Sequence, residues 1–142
     1  MALLGFKKRF AADVRSGKKR QTIRAKRKHP IKVGERLYLY TGLRQPGAEK
    51  LREADALSVD EIKITHTPEG DAVITKVFVA GEKLLPNEVC ALAIADGFVD
   101  VADFITFFKK EHGAEFVGDL IKWDPDAFLK KSTATTSVVC RR

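Results

Sequence analysis

Arg36-Leu37-Tyr38-Leu39-Tyr40-Thr41 is the stretch on which the fold turns. Its side chains alternate with a period of two, Leu37 and Leu39 on one face and Tyr38 and Tyr40 on the other, the pattern of a half-buried β-strand. Pro30 and Gly34 punctuate the chain before it, and Gly42 to Gly47, with Pro46 inside, form a loop after it. Further on, Leu51 to Ile64 reads as one long, ragged strand ending in Glu61-Ile62-Lys63-Ile64. Pro68 to Asp71 is a turn, and Ala72 to Val79 returns as the second arm of a hairpin.

Beyond Gly81 the period lengthens. Asn87 to Ala95 is apolar nearly all round and predicts a short buried helix stopped near Gly97. Asp100, with Asp103 three positions on, caps the next helix, which buries Phe104, Ile105, Phe107 and Phe108 and ends near Gly113. Phe116 to Trp123 reads as a last strand, with Trp123 packing inside. Toward the N-terminus, Phe6, Phe10 and Val14 recur every fourth residue and predict a short amphipathic helix from Phe6 to about Arg15, stopped at Gly17. Gln21 to Arg24 is brief and extended. Five or six short strands with three short helices, and no regular crossover helices, predict an α+β domain. A small antiparallel β-barrel with helices packed at its ends is the natural closure.

The chain has 142 residues, the size of one domain, and residues 1–131 are expected to form it. The tail 132–142, beginning Ser-Thr-Ala-Thr-Thr-Ser, lacks core-forming residues and is expected to be disordered. Uncharged stretches reach about ten residues, short of the ~20 needed to span a bilayer, and Met1–Phe6 lacks the basic start of a signal peptide. Two cysteines, Cys90 and Cys140, are too few for a disulfide framework or a four-ligand zinc site, so a reduced, cytoplasmic protein is expected, with Cys90 a small buried hydrophobe. His29, His66 and His112 stand at no metal-ligand spacing. No metal or organic cofactor is indicated, and a monomer is slightly favoured.

Charge is the most informative feature. Residues 1–50 carry 15 Lys and Arg against 3 Asp and Glu, a balance of +12, while residues 51–142 balance at −5, giving the net +7. Between Lys7 and Lys32 the only acid is Asp13. Such a cluster repels itself unless an anion is near, and nucleic acid is its common partner. Familiar phosphate and hydrolase motifs are absent: Gly17-Lys18 has Ala12 and Lys19 where a P-loop needs Gly and Ser or Thr.

Three segments resemble the ASCH domain, a family of the PUA-like superfamily of small barrels. They are Phe10 with Gly17-Lys18-Lys19-Arg20-Gln21-Thr22-Ile23-Arg24, then Pro30 to Arg44 across the clearest strand, then Ala95-Asp96-Gly97-Phe98 with Phe104, Phe107 and Phe108. The likeness runs from about residue 3 to residue 123. It implies a twisted barrel with a cleft near the Gly-Lys-Lys loop, and RNA binding. Some members are amidohydrolases that deacetylate N4-acetylcytidine with a lysine, a threonine and a glutamate. Carried over, these fall on Lys19, Thr22 and Asp96, aspartate standing where those members have the longer glutamate. Lys18, Arg20, Arg24, Arg27, Lys28, Tyr40 and Arg44 are then the expected nucleic-acid contacts, Tyr40 by stacking and the cations by meeting phosphate or base edges.

The chemistry sets conditions. A threonine hydroxyl attacks only if a base takes its proton, and Lys19 is a base only if its pKa falls well below about 10.4. On a regular strand Lys19 and Thr22 would face opposite sides, so the segment from Gly17 to Arg20 must turn. Plainer roles stand beside these: a phosphate-contacting Lys19, a strand hydroxyl at Thr22, a helix-ending Asp96. The alternatives for the whole protein are RNA binding without chemistry, RNA cleavage with Lys19 and Tyr40 as acid–base partners, and a protein-interaction module whose basic face meets an acidic partner.

Overall fold

A computed structural model describes residues 2–124. The domain end at 131 and the tail 132–142 lie outside the described residues. The elements run β1 (Ala2–Phe6), α1 (Lys8–Ser16), β2 (Gln21–Ala25), β3 (Arg36–Thr41), β4 (Glu49–Asp55), β5 (Ser58–Glu69), β6 (Ala72–Val79), β7 (Glu82–Lys83), α2 (Pro86–Ala95), α3 (Val101–His112) and β8 (Glu115–Lys122). The fold is α+β and rich in strand, as expected, with three helices. The strands form two hydrogen-bonded sheets, one ordered β1-β3-β4 and the other β2-β8-β5-β6-β7.

The strand quoted above is β3, with Leu37 and Leu39 fully buried and both tyrosines half-buried on the other face. The strand β1 was not foreseen. It pairs with β3 in parallel, Leu4 opposite Leu39, so Phe6 ends a strand rather than opening a helix, and α1 starts at Lys8. Phe6 still turns its ring inward. The single ragged strand expected from Leu51 to Ile64 is two strands in different sheets. Between them Ala56 is buried and its amide donates to the Glu35 carbonyl at 2.8 Å, while Leu57 N–H turns to the Lys122 carbonyl at 2.7 Å. The loss of alternation across residues 55–57 is this corner. The hairpin of β5 and β6 is antiparallel over eight residue pairs, from Ile62 opposite Val79 to Glu69 opposite Ala72.

The helices pack as one group around an aromatic cluster. The amide of Asp103 donates to Asp100 Oδ1 at 2.8 Å, the cap read from the sequence. From α3, Phe104 and Phe108 are buried and Phe107 is partly so. Phe98, on the link from α2 to α3, lies edge-on to Phe10 of α1 at 5.4 Å and to Phe104 at 5.5 Å. Burying each such ring stabilises the fold by about 1.5–3 kcal/mol, which fixes where the links between these helices can lie. Helix α2 is less buried than its composition suggests: Leu92 and Ala93 are inside, while Ile94 faces out. Cys90 is buried, as expected of a small hydrophobe. Trp123 packs edge-on to Phe6 at 6.1 Å, and its amide donates to the Arg20 carbonyl, tying the end of β8 to the start of β2. No helix among the described residues is long and apolar enough to cross a membrane.

Candidate functional site

Gly17 ends α1 in the left-handed conformation (φ 87°), which a side chain would resist. The chain doubles back there, and Lys19 N–H donates to the Asp13 carbonyl at 2.9 Å. Lys19 therefore sits in a turn ahead of β2 and escapes the alternation that would have set it opposite Thr22. Its side chain enters the protein and is 2% exposed. A buried lysine needs partners, and it has two on one residue. Lys19 Nζ donates to the main-chain carbonyl of Asp96 and lies 3.3 Å from Asp96 Oδ1.

Asp96 is the C-cap of α2, so the carbonyl Lys19 meets is one of those the helix leaves without an internal partner. The negative end of the helix dipole adds to the attraction. Asp96 ends the helix and faces the lysine at once, so the plain reading of it and the chemical one hold together. The next residue makes this approach possible. Gly97 has φ +98°, and a Cβ there would stand 2.9 Å from Phe10 Cδ1 and 3.2 Å from Lys19 Cδ.

Thr22 and Arg24 share a face of β2. Thr22 is buried, and its Oγ1 accepts from Arg24 Nε at 3.0 Å. Arg24 Nη2 donates to the Gly5 carbonyl at 2.7 Å, and the guanidinium lies 4.7 Å from the Phe6 ring centre. Two of its five N–H donors are thus engaged within the described protein. Lys19 Nζ lies 5.7 Å from the ring centre of Phe6 and 5.1 Å from that of Phe10.

These groups border one cleft of about 190 Å³. Lys7, Lys19, Thr22, Arg24 and Asp96 are its polar lining, with Phe6, Phe10, Phe98, Phe107, Phe108 and His112 as the ring-bearing walls. The polar groups come from the α1–β2 turn, from β2 and from the end of α2, brought together by the aromatic cluster. Burial lowers the pKa of Lys19, with Asp96 opposing that shift, and burial raises the pKa of Asp96, with Lys19 opposing. Loss of water pushes both toward their neutral forms, amine and carboxylic acid.

The other expected contacts spread outward. Arg44 borders a wider groove of about 960 Å³ that shares Gly5, Phe6, Lys7 and Arg24 with the cleft. Lys18 is exposed on the Gly17 turn, and Arg20 is half-buried with its Nε 3.8 Å from Asp124. Arg27 and Lys28 are exposed beyond β2 and border neither space. Tyr40, half-buried on β3, does not border the cleft that holds Lys19. Among the described residues no group of three His, Cys, Asp or Glu is placed to hold a metal.

Sequence reasoning missed Gln21, which is fully buried and donates through Nε2 to Asp96 Oδ1 at 3.4 Å. It also missed His112, at the end of α3, with its ring 4.4 Å from Phe116. No protein-family model, curated protein or solved structure matches this chain.

Proposed function

We propose that this chain is a PUA-like domain of the ASCH type, its two sheets forming the walls of a small barrel, which takes a cytosine base into the Lys19 cleft and hydrolyses an amide on its N4. The observation that carries the reading is the meeting of Lys19, Thr22 and Asp96 from three segments in one aromatic-walled space. Barrel closure is supported by the corner at Ala56–Leu57, where the chain passes from one sheet to the other. The cationic N-terminal segment and the flat rings suit a nucleobase and its polyanionic chain, since rings stack on bases whatever their identity.

In the proposed reaction the neutral amine of Lys19 exchanges the Asp96 carbonyl for the Thr22 hydroxyl and takes its proton. Arg24 already donates to a lone pair of Thr22 Oγ1, which leaves the hydroxyl hydrogen free to be given up. The oxygen attacks the acetyl carbon, and the developing oxyanion meets the uncommitted guanidinium N–H groups of Arg24. Asp96, as the acid, protonates the departing cytosine N4. Water then cleaves the threonyl ester to acetate, and the two protons lent by Thr22 and Asp96 are restored. The net change is amide plus water to amine plus acid.

A second reading, nucleic-acid binding without chemistry, is favoured by one observation: Lys19 is directed at Asp96 rather than at Thr22. Incubation with N4-acetylcytidine, followed by chromatography, separates the two. The hydrolase reading expects cytidine to accumulate with wild-type protein; substrate left intact at high protein concentration removes it.

A further inference from the structure

The groove beside the cleft is a separate space with its own chemistry. It runs between the start of α1 and the loop from Gly42 to Gly47, and it shares Gly5, Phe6, Lys7 and Arg24 with the cleft. Its charged lining is Lys7, Lys8, Arg24, Arg44 and Glu49. Glu49 is engaged by Arg15, and Lys7 Nζ lies 4.0 Å from Glu111 and 5.9 Å from the Phe107 ring centre. Lys8 and Arg44 have no ion-pair partner among the described residues. Four cations thus line a space of about 960 Å³, several times the cleft's volume.

Position gives the groove a meaning. A base seated against Phe6 and Phe98 would carry its sugar toward the residues the cleft shares with this groove, Gly5, Phe6, Lys7 and Arg24. We propose that a phosphate esterified to that sugar lies in the groove, held by Arg24 and Arg44 with Lys7 and Lys8 beside it. This rests on the cleft being the base site, and it makes the ligand a nucleotide, free or within a strand, rather than a bare nucleoside. Charge-assisted hydrogen bonds to phosphate are the strongest such contacts available to exposed arginines and lysines.

The test reads binding, so it gives an answer whether or not the protein hydrolyses anything. Titration calorimetry compares cytidine, cytidine monophosphate and a short single-stranded RNA rich in cytidine, at one low salt concentration. The expected result is that a phosphorylated ligand binds at least about tenfold more tightly than cytidine. In a Lys8→Gln, Arg44→Gln variant that advantage shrinks toward unity. An equal gain for monophosphate and RNA assigns the groove to a terminal phosphate, and a gain for RNA alone assigns it to a phosphate between nucleotides. Cytidine binding as tightly as both overturns the groove proposal while leaving the cleft reading intact. No binding by any of the three overturns the cleft reading and this inference with it.

Discussion

At the scale of the residue, Lys19 decides the account. Its pKa is lowered from 10.5 chiefly by burial, and the nearest force holding it up is Asp96. Replacing Asp96 by Asn deletes that support, so the Lys19 pKa in the folded protein should fall further. An NMR titration of the Lys19 side chain should find its midpoint at lower pH in Asp96→Asn than in wild type; an unchanged or higher midpoint would contradict the pairing. The pair also ties stability to pH. Asp96, raised from 3.8, keeps its proton in the folded state where the unfolded chain has lost it, so its contribution to stability falls as pH rises from 3.8 through the folded value. Lys19 acts oppositely, its folded form shedding a proton the unfolded chain keeps, so stability recovers as pH approaches 10.5. Thr22 is a gentler case. Thr22→Ala removes one buried acceptor, costing about 1 kcal/mol, so the melting temperature should move by roughly 2–4 °C. Turnover of N4-acetylcytidine should vanish. Activity surviving in that variant would mean another group performs the attack.

Among the elements, the link from α2 to α3 builds the site, because it places both Asp96 and Phe98. Gly97→Ala meets two obstacles, a left-handed φ and a ring carbon 2.9 Å away. The expected cost is about 1–3 kcal/mol, seen as a lower denaturant midpoint with an unchanged slope; a midpoint equal to wild type would mean the helices can re-seat without harm. What sequence could and could not reveal is clearest at this level. The alternation in β3, the cap at Asp100 and the stop at Gly17 are local signals, and each stands at or near its read position. The first strand left no such signal, since five residues beside a helix-spaced Phe6, Phe10 and Val14 are absorbed into the helical period. The split of β4 from β5 was hidden too, because a chain crossing between sheets alternates on both sides of the corner and only Ala56 marks it. Of the candidate site, Lys19, Thr22 and Asp96 were legible only as a resemblance. That they meet depends on Gly17 and on ring packing over a span of 77 residues between Lys19 and Asp96, a distance local pattern does not encode.

For the molecule as a whole, charge asymmetry is the governing property. The cations are not spread evenly over the surface: Lys26 is drawn to Asp119 at 2.8 Å and Arg36 to Asp55 at 3.0 Å, while Lys8 and Arg44 stay open to the groove. Binding of single-stranded RNA should therefore weaken steeply with salt, by a slope of about −0.7 for each phosphate engaged. Fluorescence anisotropy at several salt concentrations measures it, and removing Arg44 should flatten the slope by about one such step. A flat salt response would point to an acidic or apolar partner instead. The most direct test concerns where a base sits. Amide chemical shifts of labelled protein, followed as cytidine is added, should move first at Gly5, Thr22, Arg24, Gly97 and Phe98, around the cleft. Shifts confined to exposed residues that do not border the cleft, such as Val73, Ile74 and Leu85, would show that the cleft is not the binding site.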